Sequence, residues 1–209
     1  MSNFAFSDLR VVNPYGPAFR EAKSAVGAAA LLRRAKEFSS VGDAVADCIL
    51  VVGTTAARGR KLDHPLRTLQ EGARLIGRKL HGGKVALLFG SEKRGLSNED
   101  FSYCNWLIRI PTKPEQPSMN LGQAVAVGLY EISKITKPPA VHSQVTAAGA
   151  DLERLTQLLY ECLVTSGYAK SKDEERVVRR LVCGLSLSRE DAQRLLGMLR
   201  QMLWKMRHG

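Results

Sequence analysis

Apolar and polar positions divide the chain into short continuous apolar runs and longer stretches whose apolar residues recur three and four apart. Three runs, residues 48–52 (CILVV), 85–89 (VALLF) and 106–110 (WLIRI), lack the strict alternation of a half-exposed strand. Runs of this length predict strands buried on both faces, as in a parallel sheet. Around them the spacing predicts helices over 21–34 with an interruption at Gly27, over 41–47 and 64–80, a short one from Ser97, and a long one over 120–137. Residues 8–12 (DLRVV) read as an edge-like strand, ended by Asn13 and Pro14. Strands alternating with helices give an α/β fold, with a mainly parallel sheet covered on both faces.

The pattern changes after residue 137. Residues 138–150 (PPAVHSQVTAAGA) have no periodicity and predict a linker. Beyond it, residues 151–165, 173–183 and 188–207 are amphipathic, with Leu152, Leu155, Leu158 and Leu159 striping the first segment and Leu195, Leu196, Leu199 and Leu203 the last. The expected organisation is an α/β domain over 1–137, a linker, and a small all-α domain over 151–209.

Length and charge narrow the class. With 209 residues, 44% of them hydrophobic, the chain can bury a sizeable core. No apolar run approaches the roughly 18 residues of a membrane span, and the N-terminus has no basic start followed by an apolar core, so a soluble, cytoplasmic protein is expected. The four cysteines and four histidines are scattered, which argues against a zinc site or a disulfide framework. Against 20 acidic residues stand 31 basic ones, a formal charge of +11, and a surplus of this size favours a polyanionic partner such as nucleic acid.

Candidate chemistry lies in three loops at strand ends, where ligands bind in open α/β sheets. The first, Gly90-Ser-Glu-Lys-Arg-Gly95, has two glycines that permit close backbone approach and a carboxylate at Glu92. It runs into Ser97 and Asp100, spaced as a helix-capping box. The second, residues 110–121, is stiffened by three prolines and ends at a helix start, where backbone N–H groups, Ser118 and Asn120 can hold a polar ligand or simply cap the helix. The third, residues 53–56, precedes a basic stretch with Arg58 and Arg60. There is no phosphate-loop lysine motif and no GxGxxG after a strand, so nucleotide triphosphatase and dinucleotide dehydrogenase activities are unsupported.

The pair FGSEKRGLSNED and IRIPTKPEQPSMNLGQAVAVGLYEI resembles the second and third motifs of the SpoU/TrmH class of SPOUT methyltransferases. The strand ending VVGTTA and the helical tail resemble, within that class, the TrmJ-like tRNA ribose 2′-O-methyltransferases. The resemblance implies a deep trefoil knot near 107–132, a homodimer, S-adenosylmethionine as cofactor, and tRNA, or else rRNA, as the methylated partner. Carried over by position, Thr54, Thr55, Ala56, Gly90, Ile110, Pro117, Ser118 and Met119 are expected to line the cofactor pocket, with Glu92, Gly95, Asn120 and Leu121 shaping it. Ser118 and Asn120 are the expected supporting catalytic residues, and Arg58 and Arg60 the expected RNA contacts; residues 151–209 become a candidate tRNA-binding unit.

Two departures qualify the resemblance. The family's first strand and helix, with an NxGxxxR motif whose arginine is the principal catalytic residue, have no counterpart in this sequence. This is expected to reflect a start assigned too late, the alternative being a shortened RNA-binding homologue without activity. Gln116 and Pro117 stand where related sequences often carry tyrosine and serine.

Overall fold

The computed structural model describes residues 1–14, 27–56, 62–135, 145–171 and 173–208. The elements run β1 (Arg10–Val12), α1 (Ala29–Arg33), β2 (Lys36–Phe38), α2 (Val41–Val45), β3 (Cys48–Thr54), β4 (Leu66–Thr68), α3 (Leu69–Lys79), β5 (Lys84–Leu88), α4 (Asn98–Ser102), β6 (Trp106–Arg109), α5 (Leu121–Ser133), α6 (Gly149–Thr165), α7 (Asp173–Gly184) and α8 (Arg189–His208). Four strands form a sheet in the order β4-β6-β3-β5, and β1 and β2 form a second, two-stranded sheet. All of these pairings are parallel.

The apolar runs are continuous because both faces of the larger sheet are covered. Leu50, Val52, Trp106 and Ile108 pack on one face with Leu69, Ala73 and Ile76 of α3 and Ile132 of α5. Val51 and Leu107 point the other way, into a cluster with Val45, Leu96, Phe101 and Cys104. Cys48 joins that second cluster, out of step with Leu50, because the β3–β5 register shifts between these two residues.

Several sequence expectations need revision. Residues 64–80 do not form one helix, since Leu66–Thr68 pairs with β6 before α3 begins. Thr68 then caps α3, with Glu71 completing a reciprocal capping box. The strand over 8–12 gains a partner not foreseen, β2; the helix expected over 21–34 falls partly outside the described residues, and among residues 27–34 the helix is Ala29–Arg33. The two sheets are tied at the starts of their strands by one carboxylate: Asp47 accepts from the Arg10 guanidinium and, at 2.7 Å, from Lys84 Nζ. Hydrogen bonding from Arg10, opposed by partial burial and helped by Lys84, holds the Asp47 carboxyl well below the usual range.

Helices α6, α7 and α8 bury a third cluster built on Leu152, Leu155, Val178, Val182, Ala192 and Leu196. Residues 145–148, within the stretch expected as a linker, lie against them: Ala147 is fully buried and Thr146 bridges Ser188. The helices also meet the α/β part, where buried Asn105 accepts from Val51 N at 2.8 Å and donates to Cys183 O at 2.6 Å. All four cysteines are buried free thiols, and burial raises Cys48 to about 11 and Cys183 to about 12. Among the described residues no helix is long and apolar enough to cross a membrane.

Candidate functional site

The cleft at the strand ends has a volume of about 300 Å³, at the small end of the roughly 300–1,000 Å³ typical of small-molecule sites. Its first wall is the end of β3. Thr54 Oγ1 donates to Leu88 O at 2.8 Å and Thr55 N to Ile108 O at 3.0 Å, so β3 stays registered with both neighbours while Thr54, Thr55 and Ala56 face the cleft.

The second wall is the loop after β5. Gly95 N donates to Ser91 O at 2.8 Å, closing a tight turn, and Gly95 has φ +70°, which favours glycine. A Cβ on Gly90 would lie 1.9 Å from the Gly95 carbonyl carbon, so the loop closes this way only with glycine there. The capping box expected at Ser97 and Asp100 is present in both directions, with Ser97 N donating to Asp100 Oδ2 at 2.7 Å and Asp100 N to Ser97 Oγ at 3.0 Å. It starts α4, which turns Phe101 into the cleft wall.

The third wall is the proline-rich loop. Thr112 Oγ1 donates to Pro117 O at 3.2 Å and Gln116 N to Lys113 O at 3.1 Å, folding it back so that Ile110, Pro117, Ser118 and Met119 line the cleft. The start of α5 is not an open anion site, because Asn120 Oδ1 accepts from Gly122 N and Gln123 N, which is the capping alternative. The Asn120 amide donates to Glu92 Oε1 at 2.5 Å, locking the second wall to the third.

All eight residues expected around the pocket, Thr54, Thr55, Ala56, Gly90, Ile110, Pro117, Ser118 and Met119, therefore line one cleft, joined by Glu92, Gly95 and Leu121. Asn120 does not line it and acts through Glu92 and the α5 cap. Arg58 and Arg60 lie outside the described residues. Sequence reasoning assigned no role to Lys93 and Arg94, whose place inside the motif-bearing loop was the available signal; among the described lining residues these are the basic ones.

A profile of the SpoU rRNA methylase family matches residues 1–130. The chain belongs to that family. Among curated SpoU-type relatives, the tRNA (cytidine/uridine-2′-O-)-methyltransferase TrmJ of Sodalis glossinidius is 31% identical over 216 residues, spanning 100% of this chain and 84% of that protein. The enzyme of the same name from Pectobacterium atrosepticum is 31% identical, with coverages of 93% and 83%. A crystal structure of TrmJ from Z. mobilis ZM4 superposes with a TM-score of 0.82 at 32% identity, covering 97% of this chain and 89% of that one. A probable methylase family protein from Haemophilus influenzae Rd KW20 gives 0.58 at 26%, with coverages of 98% and 88%. The mixed α/β architecture with a parallel sheet is thus that of a SpoU-family methyltransferase.

Proposed function

We propose that the cleft binds S-adenosylmethionine and that this chain methylates a ribose 2′-hydroxyl of tRNA. The observation that carries the reading is the convergence of three separate strand-end loops, in a chain of this family, on one cleft. The lining suits the cofactor: Phe89, Ile110 and Met119, backed by buried Leu96, Phe101 and Ile108, offer apolar surface for a purine. Ser118 offers a hydroxyl to a ribose or an amino-acid tail, and the Thr54 and Thr112 hydroxyls, which donate to Leu88 O and Pro117 O, can still accept from them. Bound there, the cofactor supplies an electrophilic methyl on a sulfonium.

The chain's own residues supply position and charge. Ser118 Oγ is assigned to hydrogen-bond the attacking hydroxyl, and Asn120 to support it by fixing Glu92 and the start of α5. Lys93 and Arg94 are suited to the phosphate beside the target ribose, and Arg58 and Arg60 to phosphates further along the strand. Holding hydroxyl and methyl in line contributes much of such an acceleration.

The reading extends to the whole chain. Residues 1–137 are assigned as the cofactor-binding unit and 151–209, with residues 145–150 packed onto or continuing their helices, as a tRNA-contacting helical unit with its own buried cluster. A threaded path over 107–132, a homodimer and a cytoplasmic location belong to the same assignment, with Val127 and Tyr130, exposed on α5, as candidate dimer contacts. Isothermal titration with S-adenosylmethionine, followed on the same sample by tritiated methyl transfer to unmodified tRNA, tests it. Binding with transfer is expected; absence of binding overturns the site, and binding without transfer overturns the activity.

A further inference from the structure

Arg179, on α7, has a side chain only 7% exposed and is surrounded by carboxylates from three elements. Its Nη1 donates to Glu99 Oε1 at 2.8 Å and to Ser102 Oγ at 3.4 Å, its Nε to Glu153 Oε2 at 3.1 Å, and its Nη2 to Glu175 Oε1 at 2.8 Å. The guanidinium also sits 4.6 Å from the centre of the Tyr103 ring. Glu175 belongs to α7 and Glu153 to α6, but Glu99 and Ser102 belong to α4, the short helix that follows the glycine-bounded loop.

Glu99 and Ser102 flank Phe101, and Phe101 with Leu96 forms part of the cleft wall. With five residues α4 is too short to hold its place by its own hydrogen bonds, so its position is set by what grips it. At its start the grip is the Ser97–Asp100 box, beneath it is the burial of Phe101 among Leu96, Cys104 and Leu107, and from the C-terminal helices it is Arg179. A guanidinium suits the task because its N–H groups point in fixed, divergent directions and reach several oxygens at once, whereas an ammonium is a compact point charge. The three carboxylates are 29–56% exposed, so water offsets part of the cost of gathering them around a single cation.

We propose that Arg179 is a positioning residue for methyl transfer: by gripping Glu99 and Ser102 from the C-terminal helices, it fixes Phe101 and the cofactor side of the cleft. It touches neither cofactor nor substrate and acts through α4. This rests on the cleft being the S-adenosylmethionine site, so the test includes a readout independent of that ligand.

Amide hydrogen exchange over residues 90–102 is measured in the full chain, in Arg179→Met, in Arg179→Lys and in Val182→Ala. The last removes buried methyls from the same helix, in the helical cluster rather than among the carboxylates. Titrations with S-adenosylmethionine follow on the same proteins. Arg179→Met is expected to speed exchange over 90–102 and to weaken cofactor binding, each by about tenfold. Arg179→Lys should fall between it and the parent, and Val182→Ala should change neither readout. Unchanged exchange in Arg179→Met, or an equal change in Val182→Ala, overturns the proposal. Faster exchange with unaltered cofactor affinity severs the link to the cleft and overturns it too. If the parent chain binds no cofactor, the cleft assignment fails, while the exchange comparison still decides whether Arg179 holds α4.

Discussion

In β3 and β6 most residues are buried, and Val52, Leu107 and Ile108 are at most 1% exposed; along the 20 residues of α8, the buried ones are Ala192, Leu196 and Leu203. The strands lie between two layers, whereas α8 covers one cluster and leaves Met198, Met202 and Trp204 in solvent. A strand packed on both faces can vary little, so the chemistry sits in the loops that leave its ends. A helix packed on one stripe keeps an open face whose residues are little constrained by the fold.

Glycine substitution should separate the two regions most sharply. Gly90→Ala forces a methyl into the Gly95 backbone, and displacement of that loop is expected to cost about 100-fold in methyl transfer. Gly197→Ala, in the exposed interior of α8 where an added Cβ meets nothing within 4 Å, should leave transfer unchanged and raise stability by about 0.5–1 kcal/mol. Transfer assays and thermal unfolding of both variants decide; similar effects from both would erase the distinction.

Truncating a core leucine sharpens the comparison at the next level. Leu107→Ala and Leu196→Ala should each lose about 2–5 kcal/mol in denaturant unfolding. Leu107 packs with Leu96 and Phe101, which also line the cleft, so its truncation should weaken cofactor binding as well. Leu196 packs among the helices, and its truncation should not.

The smallest effect concerns the tie between the sheets. The Asp47 carboxyl is depressed chiefly by its bond to Arg10, so folding keeps it ionised more strongly than the unfolded chain does. Its contribution is complete above the ordinary carboxylate value near 4 and is lost as pH falls through the depressed folded value. The side chain is 47% exposed, so solvent screening limits the contribution to about 0.5–1 kcal/mol. Asp47→Asn should show that deficit at pH 7 and a shallower decline in melting temperature towards acid.

How much was legible in the sequence followed the same division. The runs at 48–52 and 106–110 declared themselves as strands because layers on both faces demand unbroken apolarity. The Ser97–Asp100 box and the glycines at 90 and 95 were legible because each does a local job with neighbours a few residues away. Lys36–Phe38 and Leu66–Thr68 were missed because three residues carry no period, and only pairing with β1 and β6 makes them strands. Thr68 and Glu71 did carry a capping signal that would have moved the start of α3. Arg179 was illegible: in an amphipathic helix an arginine reads as solvated surface, and its burial depends on Glu99, 80 positions away.

The sealed thiols have a practical consequence for anyone wishing to watch this molecule work. The thiolate is the form that reacts with maleimides and similar labels, and burial both shields the four native thiols and disfavours their ionisation. A single cysteine introduced at an exposed place such as Met202 would then be the fast-reacting one, so a fluorophore can be attached without first stripping out the natural sulfur.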